Sequence, residues 1–359
     1  MTTQSVAIVL GTRPEIIKMS PVLRLFEREG VEHFVIHSNQ HYSEALDAIF
    51  FEELQLRRPE HNLGIGSAEH GNQTGRMLVA IEEILLARKP GWVLAQGDTN
   101  TVLAAILAAS KQAIPCGHIE AGLRSYDRTM PEEKNRVICD AIADHLFCPT
   151  EVQRQILLGE AVPPERIHVT GNTIVDAVLQ NRALADQSDA LARHGLEPGG
   201  YVLLTAHRAS TADRRESLEA LLALIKTLGE ISGREVVYPI HPRTAAKLEA
   251  FGLPVEGARL LPPLGYRDFL ALQSGAHLIV TDSGGVQEEA CILQVPCLTI
   301  RENTERPETL DVGANRLVGL DAARVREAYA HFQGAARDWP NPFGDGQAAE
   351  RIHGVLCRG

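Results

Sequence analysis

Short apolar runs alternate with longer amphipathic segments along almost the whole chain, and this alternation limits the possible folds more than any other feature. A brief, continuous apolar run such as residues 6–10 is typical of a parallel strand that is buried on both faces. Amphipathic segments such as residues 73–87 and 101–110 suit helices that cover such a sheet. The pattern therefore predicts an α/β fold built from doubly wound parallel sheets.

The alternation stops and restarts once, close to Gly171, which predicts two domains. At 359 residues the chain is long enough for two cores of ordinary size. We predict a Rossmann-like domain over residues 1–170 and a second over residues 171–359, with the final helix as the one element that could pack back on the first domain. Strands are predicted at residues 6–10, 32–37, 92–95, 114–119, 145–148 and 166–169, and then at residues 201–205, 236–240, 259–261, 277–280, 295–300 and 317–318. A further helix is predicted from residue 40 to residue 50.

Charge and cysteine content limit the partners and the compartment. The formal net charge of −11 argues against nucleic acid and anionic membranes, because either partner needs a broad basic face. The six cysteines form no CxxC pair, and the fourteen histidines show no zinc-site spacing. No run approaches the length of a membrane span, and no secretory signal is recognisable before the first strand. We therefore expect a cytoplasmic protein with reduced cysteines and with no nucleic-acid or membrane partner.

The segment from Thr281 to Glu289 has the features of an anion-binding turn. An apolar run leads into Ser283, Gly284 and Gly285, and a helical pattern follows directly. Glycines let the backbone turn tightly, and the start of a helix presents free N–H groups that suit a phosphate. We place Glu288 and Glu289 in the first turn of this helix, within reach of ribose hydroxyls. The alternative is an ordinary strand-to-helix turn that a serine or aspartate caps.

Three carboxylates follow predicted strands of the first domain, namely Asp98, Glu120 and Glu132. Parallel strands bring their carboxyl ends to one edge of a sheet, which is where open α/β sheets bind ligands. Each carboxylate could instead cap a helix, but their convergence favours a role in proton transfer. Arg13 and Lys18 bring two cations to the same edge, after the first strand.

His207 and Arg306 stand near the predicted anion turn of the second domain. With these residues the sequence predicts a phosphorylated ligand in a cleft between the two domains. The carboxylates favour an enzyme over a binding protein, because an anionic ligand gains nothing from them. No Walker A motif and no GxGxxG on the first βα turn are present, which argues against an ATPase or a dehydrogenase.

Six motifs in a fixed order identify a more specific class. They are Gly11-Thr-Arg-Pro-Glu-Ile-Ile-Lys18, Gln96-Gly-Asp-Thr99, Glu120-Ala-Gly-Leu-Arg124, Pro131-Glu-Glu-Lys-Asn-Arg136, Thr281-Asp-Ser-Gly-Gly285 with Gln287-Glu-Glu289, and Thr304-Glu-Arg-Pro-Glu308. Together they closely resemble the non-hydrolysing UDP-N-acetylglucosamine 2-epimerases over essentially the whole chain. The resemblance implies a glycosyltransferase-B-like fold, a homodimer, and interconversion of UDP-GlcNAc and UDP-ManNAc with neither NAD nor a metal as cofactor.

The resemblance also implies a mechanism and a set of site residues. UDP leaves C1 of the sugar while the proton at C2 is removed, which gives a bound 2-acetamidoglucal. UDP then re-adds at C1, and a proton returns to C2 from the opposite face. The implied acid/base residues are Asp98, Glu120, Glu132 and His207, without an assignment of faces. The implied substrate-binding residues are Arg13, Lys18 and Arg136 for the cleft, His207, Ser283, Gly284, Gly285 and Arg306 for the diphosphate, Glu289 for the ribose and Phe269 for the uracil.

The chain departs from the family pattern in two places. After His207 and Arg208 it has Ala209-Ser210-Thr211, where family members often have Arg-Glu-Asn, and the segment from Glu120 to Glu132 is short. Because these regions lie near an activating second UDP-GlcNAc in regulated members, we expect no such activation here. The alternatives are a 2-epimerase of a UDP-2,3-diacetamido uronic acid, a hydrolysing UDP-GlcNAc 2-epimerase, and a glycosyltransferase of the same fold.

Overall fold

The computed structural model describes residues 5–40 and 50–358, and it forms two compact units. One unit contains the chain up to Gln180 together with the segment from Phe343 onward, and the other runs from Asn181 to Pro342. The chain therefore passes from one unit to the other inside the helix Thr173–Ala185, whereas the sequence prediction places this passage at residue 171.

The first unit is built on a parallel sheet with seven strands among the described residues, in the order β3-β2-β1-β4-β5-β6-β7. These strands are β1 (Val6–Leu10), β2 (His33–His37), β3 (His61–Asn62), β4 (Trp92–Gln96), β5 (Cys116–Ile119), β6 (His145–Cys148) and β7 (Ile167–Val169). Each pairs in parallel with its neighbours. The order reverses at β1, so the strands run outward from it in both directions, as in a doubly wound sheet.

Helices cover this sheet and bury its apolar strands. Their bounds are Arg13–Glu29, His70–Arg88, Asn100–Lys111, Pro131–Ile142, Glu151–Gly159, Thr173–Ala185 and Ala348–Leu356. The last of them packs on the first, where the rings of Phe26 and His353 meet at 5.7 Å. Its N-terminus is held by Asp176, whose carboxylate accepts hydrogen bonds from the backbone N–H groups of Ala348 and Ala349.

The second unit has a parallel sheet with six strands among the described residues, in the order β10-β9-β8-β11-β12-β13. They are β8 (Tyr201–Thr205), β9 (Glu235–Pro239), β10 (Ala258–Leu261), β11 (Leu278–Thr281), β12 (Cys297–Thr299) and β13 (Asn315–Leu317). Its helices are Ala190–Arg193, Ala209–Ala212, Arg215–Ser232, Pro242–Phe251, Tyr266–Gly275, Gly284–Ile292, Pro307–Asp311 and Ala322–Gln333. The order again reverses beside a central strand, here β8.

The predicted fold class is confirmed, since both units are doubly wound α/β structures whose strands lie at the predicted segments. The strand β3 was not predicted, because two residues are too short to show a pattern. Part of the predicted helix at residues 40–50 lies outside the described residues, which omit 41–49. Within the described ranges, no helix combines the length and the apolar character that crossing a membrane requires.

Candidate active site

Three neighbouring strands of the first unit end at the same edge of the sheet. Strand β4 lies between β1 and β5, with Ala95 paired to Val9 on one side and to His118 on the other. The turns that follow these strands therefore leave the sheet side by side. They carry the predicted residues Arg13, Asp98 and Glu120.

Glu120 is held in a buried and unusual conformation. Its backbone φ is 70°, in the left-handed region that non-glycine residues seldom adopt. One carboxylate oxygen lies 2.6 Å from the Lys18 ammonium group, and the other accepts a hydrogen bond from the side-chain amide of Gln96. Glu120 and Lys18 are 5% and 4% exposed, so this ion pair is almost wholly withdrawn from water. A strained backbone that places a charged group so firmly is typical of functional sites.

Asp98 is half-buried and is paired with Arg136. The guanidinium group of Arg136 also donates to Glu133 at 2.7 Å, and Arg136 is only 2% exposed. The side chain of Asn135 fixes the backbone by donating to the carbonyl of Asp98 at 2.9 Å. The capping alternative for Asp98 is wrong, because Thr99 is the residue that caps the following helix. The Asp98 carboxylate therefore contacts Arg136 and does not cap that helix.

Glu132 and Glu133 both lie in the first turn of the helix Pro131–Ile142, but they differ in environment. Glu133 is buried and accepts hydrogen bonds from the backbone N–H groups of Ser125 and Tyr126. Burial raises the pKa of this carboxyl group, but the hydrogen bonds from Ser125 and the guanidinium of Arg136 outweigh that effect and lower it. Glu132 is half-buried, and its side chain makes no hydrogen bond or ion pair with any residue in 5–40 or 50–358.

The first turn after β1 contains a buried acid, Glu15, to which the sequence analysis assigned no role in the site. Glu15 is 3% exposed and accepts hydrogen bonds from the backbone N–H groups of Gly11 and Thr12. It also accepts one from the Thr99 hydroxyl at 2.6 Å, which links this turn to the one that carries Asp98. Burial raises the pKa of Glu15 from 4.5 to about 7 despite these hydrogen bonds.

The two cations of this edge, Lys18 and Arg13, have different surroundings. Lys18 is bound to Glu120, as described above. Arg13 is half-buried, and its guanidinium carbon lies 4.8 Å from the ring centre of Phe50, a distance that suits a cation–π contact.

In the second unit, the predicted anion turn joins β11 to the helix Gly284–Ile292, and Ser283 is its N-cap residue. The Ser283 side chain makes no capping hydrogen bond, so the ordinary capped turn is not what the structure shows. The placement of Glu288 and Glu289 in the first helical turn is wrong. That turn contains no acidic residue, and both glutamates lie one turn later, buried in the unit.

The two glycines of this turn have different surroundings. A side chain on Gly284 would meet the guanidinium carbon of Arg306 at 3.3 Å. Apart from its chain neighbours and the backbone of its own helix, none of the described residues lies within 4 Å of the corresponding position on Gly285. Arg306 is therefore laid against the backbone of the turn, and Glu288 holds it there at 2.9 Å. The positive charge predicted for this site is present beside Gly284, and the backbone of Gly285 faces open space.

His207 follows β8, next to the anion turn, and Asp282 controls its position. One carboxylate oxygen of Asp282 accepts hydrogen bonds from the backbone N–H groups of His207 and Arg208, both at 2.9 Å. The other oxygen lies 3.4 Å from Nδ1 of the His207 ring. Asp282 is fully buried, while the side chain of His207 is 42% exposed and stacks on His241. Asp282 thus ties the β8 turn to the β11 turn.

Glu289 and Phe269 belong to neighbouring helices of this unit. Glu289 is 5% exposed and accepts a hydrogen bond of 2.7 Å from the side-chain amide of Gln273. Gln273 is one turn beyond Phe269 on the helix Tyr266–Gly275, where Phe269 is half-buried. The hydrogen bond therefore fixes the helix that carries Phe269 relative to the helix of the anion turn.

Sequence reasoning found the residues at the strand ends and missed those that hold them. The supporting roles of Glu15, Gln96, Asp282 and Gln273 were not identified, because the burial of a single polar residue gives no periodic signal. The one signal available was an unexplained polar residue at a buried position, as with Gln96 at the end of β4.

Two doubly wound parallel units in one chain are the architecture of glycosyltransferase-B-like enzymes. A Streptomyces glycosyltransferase, SsfS6, shows this likeness at the level of the fold, with a TM-score of 0.54, 15% identity, and coverage of 99% of this chain and 96% of that one. A family model described as UDP-N-acetylglucosamine 2-epimerase matches residues 24–357.

Similarity to individual epimerases extends over the full length. The UDP-N-acetylglucosamine 2-epimerase of Methanococcus maripaludis is 51% identical, over 98% of both chains. The crystal structure of Methanocaldococcus jannaschii UDP-GlcNAc 2-epimerase in complex with UDP-GlcNAc and UDP superposes with a TM-score of 0.94 at 50% identity, over 99% of this chain and 100% of that one. This chain belongs to the UDP-N-acetylglucosamine 2-epimerase family and is therefore an isomerase.

Proposed function

We propose that this enzyme interconverts UDP-GlcNAc and UDP-ManNAc without hydrolysis. The observation that carries the proposal is the pairing of Glu120 with Lys18 and of Asp98 with Arg136 at one sheet edge, in a chain half identical to enzymes named for this substrate. Carboxylates held beside cations have a fixed position and direction, which a base for a sugar C–H proton requires.

The first unit supplies the acid/base residues in this proposal. The C1–O bond to UDP breaks as a base takes the proton from C2, which leaves 2-acetamidoglucal and UDP bound to the enzyme. UDP then re-adds at C1 while a proton is delivered to the other face of C2. Asp98, Glu120 and Glu132, together with His207 of the second unit, are the residues proposed for these transfers, and Arg13, Lys18 and Arg136 line the site. The reaction moves a proton and a leaving group with no net oxidation, so it needs no nicotinamide cofactor.

The second unit holds UDP in this proposal. The diphosphate is proposed to bind at Ser283, Gly284 and Gly285, with Arg306 and His207 beside it. The helix that begins at Gly284 offers free N–H groups and the positive end of its dipole. Glu289 is proposed for the ribose hydroxyls and Phe269 for the uracil. Firm capture of the departing UDP is essential, because loss of UDP from the intermediate would turn an epimerase into a hydrolase.

The experiment is incubation with UDP-GlcNAc in D2O, followed by NMR of the sugar protons. We expect UDP-ManNAc to appear and deuterium to enter C2 of both UDP-sugars. Release of free ManNAc and UDP would show a hydrolysing enzyme instead. A substrate that stays unlabelled and unchanged would overturn the proposal and redirect the search to a UDP-2,3-diacetamido uronic acid or to glycosyl transfer.

We also propose a cellular setting. The enzyme would act as a homodimer in the cytoplasm and provide a UDP-sugar precursor for cell-surface polysaccharides. Sedimentation of the purified protein at micromolar concentration tests the dimer, because a species of a single 39.2 kDa chain would contradict it.

A further inference from the structure

His118 lies in strand β5 with no exposure to solvent, and its ring makes two hydrogen bonds. Nδ1 lies 2.7 Å from a carboxylate oxygen of Asp140, and Nε2 lies 2.7 Å from the carbonyl oxygen of Gly97. A carbonyl oxygen can only accept, so Nε2 must carry a proton.

The carboxylate of Asp140 lies within hydrogen-bond distance of three groups, which belong to His118, Arg124 and Gly122. Its second oxygen accepts a hydrogen bond of 2.7 Å from Arg124 and one of 3.1 Å from the backbone N–H of Gly122. Burial raises the pKa of Asp140, but the charges of His118 and Arg124 outweigh that effect and lower it. Arg124 is held in turn by Glu160 at 2.7 Å. Since an ionised carboxylate also only accepts, Nδ1 of His118 must carry a proton as well.

Both nitrogens of the buried His118 ring therefore face hydrogen-bond acceptors, an arrangement that favours the imidazolium form. Burial by itself lowers the pKa of this histidine, but the charge and hydrogen bond of Asp140 outweigh it and raise the pKa, with smaller contributions from the Gly97 carbonyl and from Glu120. The hydrogen bond to Gly97 needs only the proton on Nε2.

The peptide that His118 holds precedes Asp98. Gly97 has a φ of 93° and no side chain, so nothing in its own structure fixes the orientation of its carbonyl group. Its N–H group donates to Ile119 at 3.1 Å, and its carbonyl accepts from His118. Asp140 holds Gly122, two residues after Glu120. One buried ion pair thus ties together the two turns that carry proposed acid/base residues.

We propose that His118 is a positioning residue of the reaction: through its Nε2–H bond it fixes the Gly97–Asp98 peptide and so aims the carboxylate of Asp98. This inference rests on the proposed role of Asp98. Being wholly buried, His118 acts through the turn and does not touch the substrate. The competing explanation is a buried ion pair that stabilises the fold and nothing more.

Two substitutions of similar size separate these explanations. The amide nitrogen of glutamine can occupy the position of Nε2, and that of asparagine the position of Nδ1. His118→Gln therefore keeps the bond to Gly97 and gives up the one to Asp140, whereas His118→Asn does the reverse. We expect His118→Asn to lower kcat for UDP-GlcNAc by about 100-fold, the usual cost of a misplaced catalytic group, and His118→Gln to stay within about tenfold of the parent. The Kd of UDP should stay unchanged in both variants.

If His118 only stabilises the fold, His118→Gln should be the more damaging substitution of the two. It alone leaves the Asp140 oxygen that faces Nδ1 without this donor. The proposal is overturned if His118→Asn turns over as fast as His118→Gln, or if kcat in both variants follows the folded fraction measured by circular dichroism. A second readout is the nitrogen–proton NMR spectrum of the His118 ring in the parent enzyme. A proton on Nε2 is expected, and a ring whose Nε2 carries no proton would overturn the proposal.

Failure of the proposed function can be told apart from failure of this inference. If the parent enzyme leaves UDP-GlcNAc unlabelled in D2O, the proposed function fails, and the crystal structures of the two variants decide the inference. A Gly97 carbonyl that rotates in His118→Asn and stays in place in His118→Gln supports the positioning role. The same carbonyl orientation in both variants contradicts it.

Discussion

Lys18 and Glu120 form an ion pair of 2.6 Å with almost no exposure to solvent, although the two residues are far apart in the sequence. Lys18 lies in the helix after β1, and Glu120 follows β5 with a left-handed backbone. Removing two charges from water costs several kcal/mol, which their attraction recovers only in good geometry. A pair of this kind is therefore better explained by what it positions than by the stability that it adds.

Removing one partner of this pair should destabilise the protein far more than removing both charges. We expect Lys18→Met to cost about 3–5 kcal/mol, because it leaves the Glu120 carboxylate buried without its cation. Adding Glu120→Gln should restore much of that loss. Calorimetry of the two single variants and the double variant measures the coupling, and additive effects of the two substitutions would show that the pair does not act as a unit.

The carboxylates of the first unit should be needed for turnover and not for UDP binding. Asp98→Asn and Glu120→Gln each replace a carboxylate with an amide of equal size that cannot take a proton. We expect each to lower kcat by at least about 100-fold while the Kd of UDP changes by less than about twofold. Glu83→Gln, on an exposed face of the helix His70–Arg88, is the matched control and should leave both quantities unchanged. Full activity in either test variant would remove that residue from the acid/base set.

The two glycines of the anion turn should respond differently to an added methyl group. In Gly284→Ala the new methyl group displaces the guanidinium of Arg306 and disturbs its bond to Glu288, so we expect weaker UDP binding and a lower melting temperature. In Gly285→Ala the methyl group enters open space in a helix, where alanine is favoured over glycine by up to about 1 kcal/mol.

Differential scanning fluorimetry with and without UDP reads both effects. The melting temperature without UDP should fall for Gly284→Ala and hold or rise for Gly285→Ala. Equal melting temperatures for the two variants would show that Arg306 can move aside at no cost.

Glu15 should make stability depend on pH in an unusual direction. Its pKa in the folded protein is raised from 4.5 to about 7, so between these values the folded protein holds a proton that the unfolded chain has released. Stability should therefore fall as pH rises through this window, by up to about 3 kcal/mol. Glu15→Gln can keep accepting from Gly11 and Thr12, and it should remove this slope. Urea unfolding at several pH values measures how the free energy of unfolding changes with pH. If the same slope remains in Glu15→Gln, another titratable group causes it.

Much of this protein was predictable from the sequence alone. Buried parallel strands leave continuous apolar runs, so the α/β class and most strand positions follow from local patterns, as Val6–Leu10 and Tyr201–Thr205 illustrate. The turns at Asp98, Glu120 and Ser283 could be located because each stands where an apolar run ends. The motifs around them were specific enough to indicate the family that the full-length comparisons then showed.

Only the tertiary structure decided which partner each of these residues has. Lys18 with Glu120, Arg136 with Asp98 and Arg306 with Glu288 are pairs formed by helices and turns brought together by folding. It also decided that Glu132 and Glu133, adjacent in sequence, differ in burial and in contacts. The physical reason is that a local pattern reports which face of an element is apolar, whereas burial, pairing and protonation depend on atoms from distant parts of the chain.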